Sequence, residues 1–278
     1  MSSRDEERSE EQLRRHYEVE TELAARLRNA STSERGTLYA ALYDELYRRV
    51  PDHPQLTRKA GAEERREALL RQVALLRPLL RTNGTFLEIG PGDCALSFEV
   101  AKLVRDVYGV DVSDVITKSL SPPKNFHLTL SDGCSIPLPP GSIDVAYSNQ
   151  LMEHLHPDDA RAQIENIHRV LAQGGVYVCL TPNRLSGPHD VSRLFDQAAR
   201  GFHLKEYTAS ELKRLFLDVG FSRVSIYCFV RERPVRLPSR FVALAETLLD
   251  ASPWSLRRVL SDRLPFKALL NNLVLATK

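Results

Sequence analysis

FLEIGPGDC, residues 86–94, sets apolar residues around a glutamate and then places two glycines two positions apart. The apolar run reads as a strand, and the stretch that follows has helical spacing. A strand, a G-x-G turn and a helix together bring bare backbone N–H groups to the C-terminal edge of a parallel sheet. Gly90 lets the chain turn sharply, Gly92 removes the Cβ that would meet a ligand, and Pro91 stiffens the loop between them. The same geometry occurs in turns that bind nothing, so the surroundings of the turn carry the reading.

Outward from this turn, short apolar runs alternate with helix-period segments. Strands are predicted at 84–89, 107–112, 126–130, 143–148 and 175–181, with helices at 94–104 and 157–172. That alternation predicts βαβ units and a parallel α/β sheet. Thr208 and Glu211 form a T-x-x-E capping box for a helix over 209–219, and Gly220 stands at its stop. A strand at 222–230 follows, and a last one at 268–278. The stretch 231–266 between them is too long for a hairpin loop, and reads as an insertion with helices near 240–250 and 254–262. Upstream, Tyr39, Leu42, Tyr43, Leu46 and Tyr47 make one apolar helical stripe, broken by PDHPQ at 51–55. A further helix over about 62–80 turns Leu69, Leu70, Val73 and Leu76 inward. The expected organisation is a helical N-terminal extension or cap, 1–82, and a Rossmann-like doubly wound domain, 83–278, carrying the insertion 231–266.

Composition narrows the function. The 278 residues are 42% hydrophobic and 27% charged with a net charge of +2, ordinary values for a globular protein. The balanced charge gives no nucleic-acid footprint. None of the four cysteines forms a C-x-x-C pair, which removes the common zinc and redox motifs. Free thiols and an N-terminus without an apolar signal region predict a cytoplasmic protein. No apolar run approaches membrane-spanning length.

The second predicted strand ends in Asp111, about twenty residues past the turn, where a carboxylate can accept both ribose hydroxyls. Gly90, Gly92 and Asp111 therefore indicate an adenosine-type cofactor. Gly90-x-Gly92-x-x-Ala95 also fits the dinucleotide fingerprint, so an NAD(P)-dependent oxidoreductase is a competing reading. Glu88 weighs against it. A carboxylate two residues before the turn repels a pyrophosphate and suits a cofactor bearing an ammonium group. Asp132, at the end of the third strand, can accept an adenine amino group.

On these motifs the chain resembles the class I S-adenosylmethionine-dependent methyltransferases over roughly 62–278. FLEIGPGDC is similar to the family's E/D-x-G-x-G-x-G motif, with Cys94 in place of the third glycine, and VYGVDVS resembles its second motif. The resemblance implies S-adenosylmethionine as cofactor, Asp132 with Gly133 at the adenine, Asn149 near the methionine moiety, and a reversed final strand. The implied activity is methyl transfer to a small-molecule, glycan or lipid-intermediate acceptor, with oxygen as the acceptor atom because no N-P-P-Y-type motif appears at 148–151. A non-catalytic cofactor-binding protein of this fold is the other alternative.

Candidate proton-handling residues lie in NQLMEHLHPDD, where Glu153 and His154 follow the fourth strand. His154 titrates in the range a general base needs. Some relatives bind a divalent cation through E-x-x-E-H. Here Gln150 occupies the first position, and no metal is expected. The polar loop 181–208 also reaches the ligand edge, with His189 and His203 as acceptor-side candidates and arginines suited to an anionic acceptor. The arginine-rich insertion, with Trp254, leaves peripheral contact with an anionic membrane open.

Overall fold

The computed structural model describes residues 8–57, 62–113, 121–230 and 233–278. Helices α1 (Glu10–Asn29), α2 (Thr32–Arg49), α3 (Pro54–Thr57) and α4 (Ala62–Leu76) precede the sheet. Capping boxes start the first two, Ser9 with Gln12 and Ser31 with Glu34, each satisfying backbone N–H groups that have no partner inside the helix. The strands are β1 (Thr85–Ile89), β2 (Asp106–Asp111), β3 (Phe126–Leu130), β4 (Ile143–Asn149), β5 (Leu171–Pro182), β6 (Arg223–Val230), β7 (Arg233–Leu237) and β8 (Asn271–Thr277). Between them run α5 (Ala95–Ala101), α6 (Pro157–Val170), α7 (Ala209–Val219), α8 (Ser239–Asp250), α9 (Trp254–Ser261) and α10 (Phe266–Leu269).

The sheet order is β3-β2-β1-β4-β5-β8-β6-β7. The first five strands pair in parallel, while β8 runs antiparallel between β5 and β6. This is the doubly wound arrangement with a reversed final strand. The order reverses between β1 and β4, so the crevice for a ligand opens at the C-terminal ends of β1, β2 and β4.

Alternation along the strands divides the core between the two sheet faces. Phe86, Val145, Tyr147 and Val178 meet Leu76 of α4 and Leu96 and Val100 of α5. Leu87, Ile89, Ala146 and Tyr177 face the other way, into a core shared with α1, α2, α6 and α7. Leu23, Leu27, Leu42 and Leu46 belong to that second core, so the first two helices are packed into the same interior as the sheet. Arg35 of α2 locks them there. Its guanidinium grips the buried Asp159 of α6 with two bonds of 2.6 Å, and Tyr39 donates to the same carboxylate at 2.7 Å.

The predicted capping box and stop of α7 are present, with Gly220 at φ 117°. Three expectations need correction. Leu70 points outward, 57% exposed, because Leu69, Val73 and Leu76 already fill the inward stripe and Leu70 lies about 100° around the helix from Leu69. The insertion holds an edge strand, β7, which forms an antiparallel hairpin with β6. The last strand starts at Asn271, since Phe266–Leu269 is a helical turn. Among the described residues, no helix is long and apolar enough to cross a membrane.

Candidate functional site

The glycine turn sits where the crevice opens. Gly90 has φ 68°, and a Cβ there would meet the Leu151 side chain at 3.3 Å. Gly92 has φ 54°, and a Cβ there would meet nothing within 4 Å. Open space on a left-handed backbone beside a strand end is room for a ligand that approaches the peptide closely. Cys94, where the motif has a glycine, is itself left-handed at φ 58°.

Gly90, Asp111, Gly133 and His154 line one cavity of about 260 Å³, walled by Ile89, Val110, Val112, Ile136 and Leu151 and by three tyrosines of α2. Asp111 stands at the tip of β2. Its Oδ1 accepts the Val112 N–H at 2.7 Å, and burial raises its pKa against the opposing pull of the Val112, Ser113 and Gly92 N–H groups. The strand tips are contiguous, for Gly90 N–H donates to the Val110 carbonyl and Ser131 N–H to that of Asp111.

The remaining cofactor candidates take other positions. Glu88 lies on the β1 face that packs against α5, and its carboxyl accepts the Ser97 hydroxyl at 2.6 Å. Burial pushes it up to about 8, so it holds its proton at neutral pH. Asp132 is exposed and accepts the Cys134 and Ser135 N–H groups and the Ser135 hydroxyl. Asn149 is half-buried at the tip of β4, opposite Leu180 of β5.

A second cavity of about 230 Å³ adjoins the first. Five histidines line it: His16, His53, His154, His189 and His203. Tyr43, Gln55 and His154 line both cavities. His154 sits on a 3-10 turn, Met152–His154. Its Nδ1 lies 3.1 Å from the Phe202 carbonyl oxygen and 2.9 Å from the Tyr43 hydroxyl. A carbonyl only accepts, so Nδ1 carries the hydrogen and the neutral ring keeps Nε2 as its acceptor. Burial, and then neighbouring His203, depress His154 to about 4.

His203 behaves oppositely. Burial works to lower its pKa, but the bond of 2.7 Å from Nδ1 to Glu206, with the charges of Glu206, Glu153 and Asp190, leaves it raised. The two rings meet edge to face at 4.9 Å. Glu153 is fully buried behind them. One carboxyl oxygen accepts the Thr181 hydroxyl at 2.8 Å, and the other has no partner among the described residues. Burial raises its pKa. His189 is exposed, its backbone N–H held by Glu206 at 2.7 Å.

Two groups bring three potential metal-ligand atoms within 4.8 Å of one another: Glu153 with His154 and His203, and His16 with Glu20 and His53. In the second group His16 is already engaged at both nitrogens, by Arg8 and by Glu20. Sequence reading missed this cluster, because it is assembled from α1 and the α2–α3 turn, far from any motif. It also missed Gln163 of α6. That side chain is buried on the wall of the first cavity and donates to the Gly133 carbonyl at 2.6 Å, while its Oε1 has no partner among the described residues. The helical spacing of α6 was its one signal.

A family profile described as "Methyltransferase domain" matches residues 62–226. Two proteins described as probable S-adenosylmethionine-dependent methyltransferases are similar in sequence. One from Mycobacterium tuberculosis is 31% identical over 141 residues, covering 50% of this chain and 49% of the relative. One from Mycolicibacterium smegmatis is 32% identical over 137 residues, covering 49% and 51%. The chain thus spans about half the length of the curated relatives it matches. Among solved structures, a chain of the complex between the Haloferax volcanii Trm112 methyltransferase activator and a methyltransferase superposes with TM-score 0.54 at 16% identity, covering 88% of this chain and 97% of that one. An S-adenosylmethionine-dependent methyltransferase of Archaeoglobus fulgidus superposes with TM-score 0.51 at 18% identity, covering 77% and 94%. At these identities the superpositions speak for the fold.

Proposed function

The chain belongs to the methyltransferase-domain family, and from that premise we propose that it transfers a methyl group from S-adenosylmethionine to a hydroxyl of an acceptor held in the histidine-lined cavity. The observation that carries this reading is that two cavities, one at the glycine turn and one under α1 and α2, meet at His154.

S-adenosylmethionine, when bound, supplies a methyl group on a cationic sulfur that needs little further activation. In this reading Gly90 and Gly92 give it backbone room, Asp111 takes the ribose hydroxyls, and Gly133 lies at the adenine. Glu88, Asp132 and Asn149 stand outside the lining of the glycine-turn cavity, and Glu88, neutral and bonded to Ser97, supports the turn from beneath. The residues' own work is positioning and proton handling. Holding two reactants in line supplies much of the acceleration in such a transfer. His154 offers a bare Nε2 to the acceptor hydroxyl and takes its proton; its pKa, pushed down to about 4, corrects the expectation of titration near neutral pH and holds its contribution to at most about two orders of magnitude, the low end for such catalysis. Glu153 positions the His154–His203 pair from behind, and His189 closes the acceptor side.

We assign no metal to Glu153, His154 and His203. Gln150 stands where the E-x-x-E-H pattern has its first carboxylate, and an amide is a poor substitute for it. Turnover is expected to survive dialysis against a chelator. The acceptor class is a small molecule, a glycan or a lipid intermediate. Isotope-labelled cofactor, incubated with the purified protein and matched hydroxyl and amine acceptors, tests the reading by mass spectrometry. Label on amines alone would sink the oxygen assignment, and label on nothing, with extract supplied, would sink the activity.

A further inference from the structure

The insertion has an outer surface that the fold leaves uncovered. Helix α8 buries Val242, Glu246 and Leu249, and turns Phe241, Leu244 and Leu248 to solvent at i, i+3 and i+7. Beyond it, α9 packs through Leu260 and exposes Leu256 and Val259, and Leu264 follows at 79% exposure. These six stand within 24 residues, while the other exposed large apolar side chains of the described residues are scattered over the rest of the chain. Single exposed leucines need no explanation, but a set gathered on two successive helices and the turn after them marks an interaction surface.

The charge around this face selects the partner. Arg233, Arg236, Arg240, Arg258, Arg263 and Lys267 lie in the same stretch, against three acidic residues between 233 and 269. Of those three, Glu246 is buried and Asp250 is paired with Arg184 and Arg257. Half-buried Trp254 carries the Arg258 guanidinium 5.2 Å over its ring, so one aromatic and one cation share the rim. A second copy of this chain would bring cations against cations. A nucleic acid would leave six apolar side chains without a use. An anionic bilayer satisfies both sets at once, apolar side chains entering the acyl boundary and arginines meeting head groups.

We propose that the outer face of α8 and α9, with Leu264, is a docking surface for an anionic lipid bilayer. The face is fixed to the rim of the site. The Glu246 carboxylate accepts the Ala209 N–H at 2.8 Å and the Ser210 N–H at 3.1 Å, capping α7, and Asn183, just past β5, donates to it at 3.3 Å. Docking therefore holds the acceptor-side loop beside the membrane, which selects the lipid-linked class among the acceptors above. That last step rests on the methyl-transfer reading; the docking itself does not.

The test is flotation of the full chain with vesicles of phosphatidylcholine alone and with about a third phosphatidylglycerol. Binding is expected to the anionic vesicles only, and to weaken at about 1 M salt, where screening acts within ~3 Å. Phe241→Ser with Leu248→Ser should lower binding at least about ten-fold with unchanged circular dichroism, and Arg240→Glu with Arg258→Glu should abolish the preference for anionic lipid. Leu217→Ser, an exposed apolar residue of α7, should leave binding as it was. Absence of flotation, equal binding to neutral vesicles, or a dimer in solution that the Phe241/Leu248 variant dissolves would each overturn the proposal. Failure to float while a water-soluble acceptor is still methylated would overturn docking and leave the catalytic reading standing.

Discussion

Replacing Glu88 by glutamine should make the protein without cofactor more stable at neutral pH. The native carboxyl is pushed up to about 8 from an ordinary 4.5, chiefly by burial. Between those two values the folded state holds a proton that the unfolded state has released, so wild-type stability falls as pH rises from 4.5 toward 8 and levels off above it. At pH 7 the loss is about 3 kcal/mol, at ~1.4 kcal/mol for each pH unit above 4.5. Glutamine is neutral throughout and can still accept from Ser97, so the gap between variant and wild type should be near zero at pH 4.5 and about 3 kcal/mol at pH 7. For a chain of this size that gap is about 6–10 °C in melting temperature. Scanning calorimetry of both proteins without cofactor, from pH 4.5 to 8.5, measures it. Parallel stability curves across that pH range would show that Glu88 is not held neutral by burial and would refute the reasoning.

Other perturbations separate binding from chemistry. His154→Ala should lower kcat by up to about two orders of magnitude while cofactor affinity, followed by titration calorimetry, stays within a few-fold; undiminished turnover would remove the proposed base. Because His154 is depressed to about 4, it is neutral through the physiological range, and any acid limb it sets in kcat/KM lies below pH 5. A limb centred near 6.5 would contradict the burial argument. Asp111→Asn should weaken cofactor binding by about 10–100-fold, the worth of hydrogen bonds to a charged group, with kcat little changed at saturation. Gln163→Leu should cost affinity for S-adenosylmethionine and not for an analogue lacking the adenine amino group, and equal losses would show that its unpartnered Oε1 does not receive that group. Asp159→Ala strands the buried Arg35 and should destabilise by about 3–5 kcal/mol in urea melts, whereas Arg35→Met with Asp159→Leu should recover most of the loss.

The strands and the glycine turn were legible because their signals are local. Periodicity, the Thr208–Glu211 box and the positive-φ positions at Gly90, Gly92 and Gly220 each need only a few neighbouring residues. The edge strand β7 was not legible, since RPVRL has neither an alternating apolar face nor a buried side, and pairs with β6 on one edge alone. Asp111 was placed correctly beside the turn, because strand order in a doubly wound sheet follows from chain order. Orientation within a strand was harder. Glu88 falls on the α5 face by the same alternation that buries Phe86 and Tyr147, and only the register shows it to be behind the turn. The histidine-lined cavity was the least legible part. His16 and Glu20 come from α1 and His53 from the α2–α3 turn, none of them in a motif, and long-range bonds such as Arg35 to Asp159 bring the helices over the glycine-turn crevice.

The junction between the two cavities limits what the chemistry can be. Of the three residues that wall both, Gln55 has no titratable proton, and burial holds the Tyr43 hydroxyl well above its ordinary range. Neither accepts a proton near neutral pH. His154 has a ring nitrogen that can, yet burial and His203 make its cation costly, so a proton taken there is held weakly. His203 is the neighbour whose cation is stabilised, by the charge of Glu206. A ring that already carries both protons has no lone pair for a third, so the proton taken at His154 leaves to solvent through the histidine-lined cavity and His203 acts by its charge alone. That charge, after burial, is what keeps His154 neutral beside a cationic cofactor. On this argument His203→Gln should raise the pKa of His154 and move any acid limb it sets in kcat/KM to higher pH, with first and later turnovers changed alike. A limb that does not move would show that burial alone depresses His154.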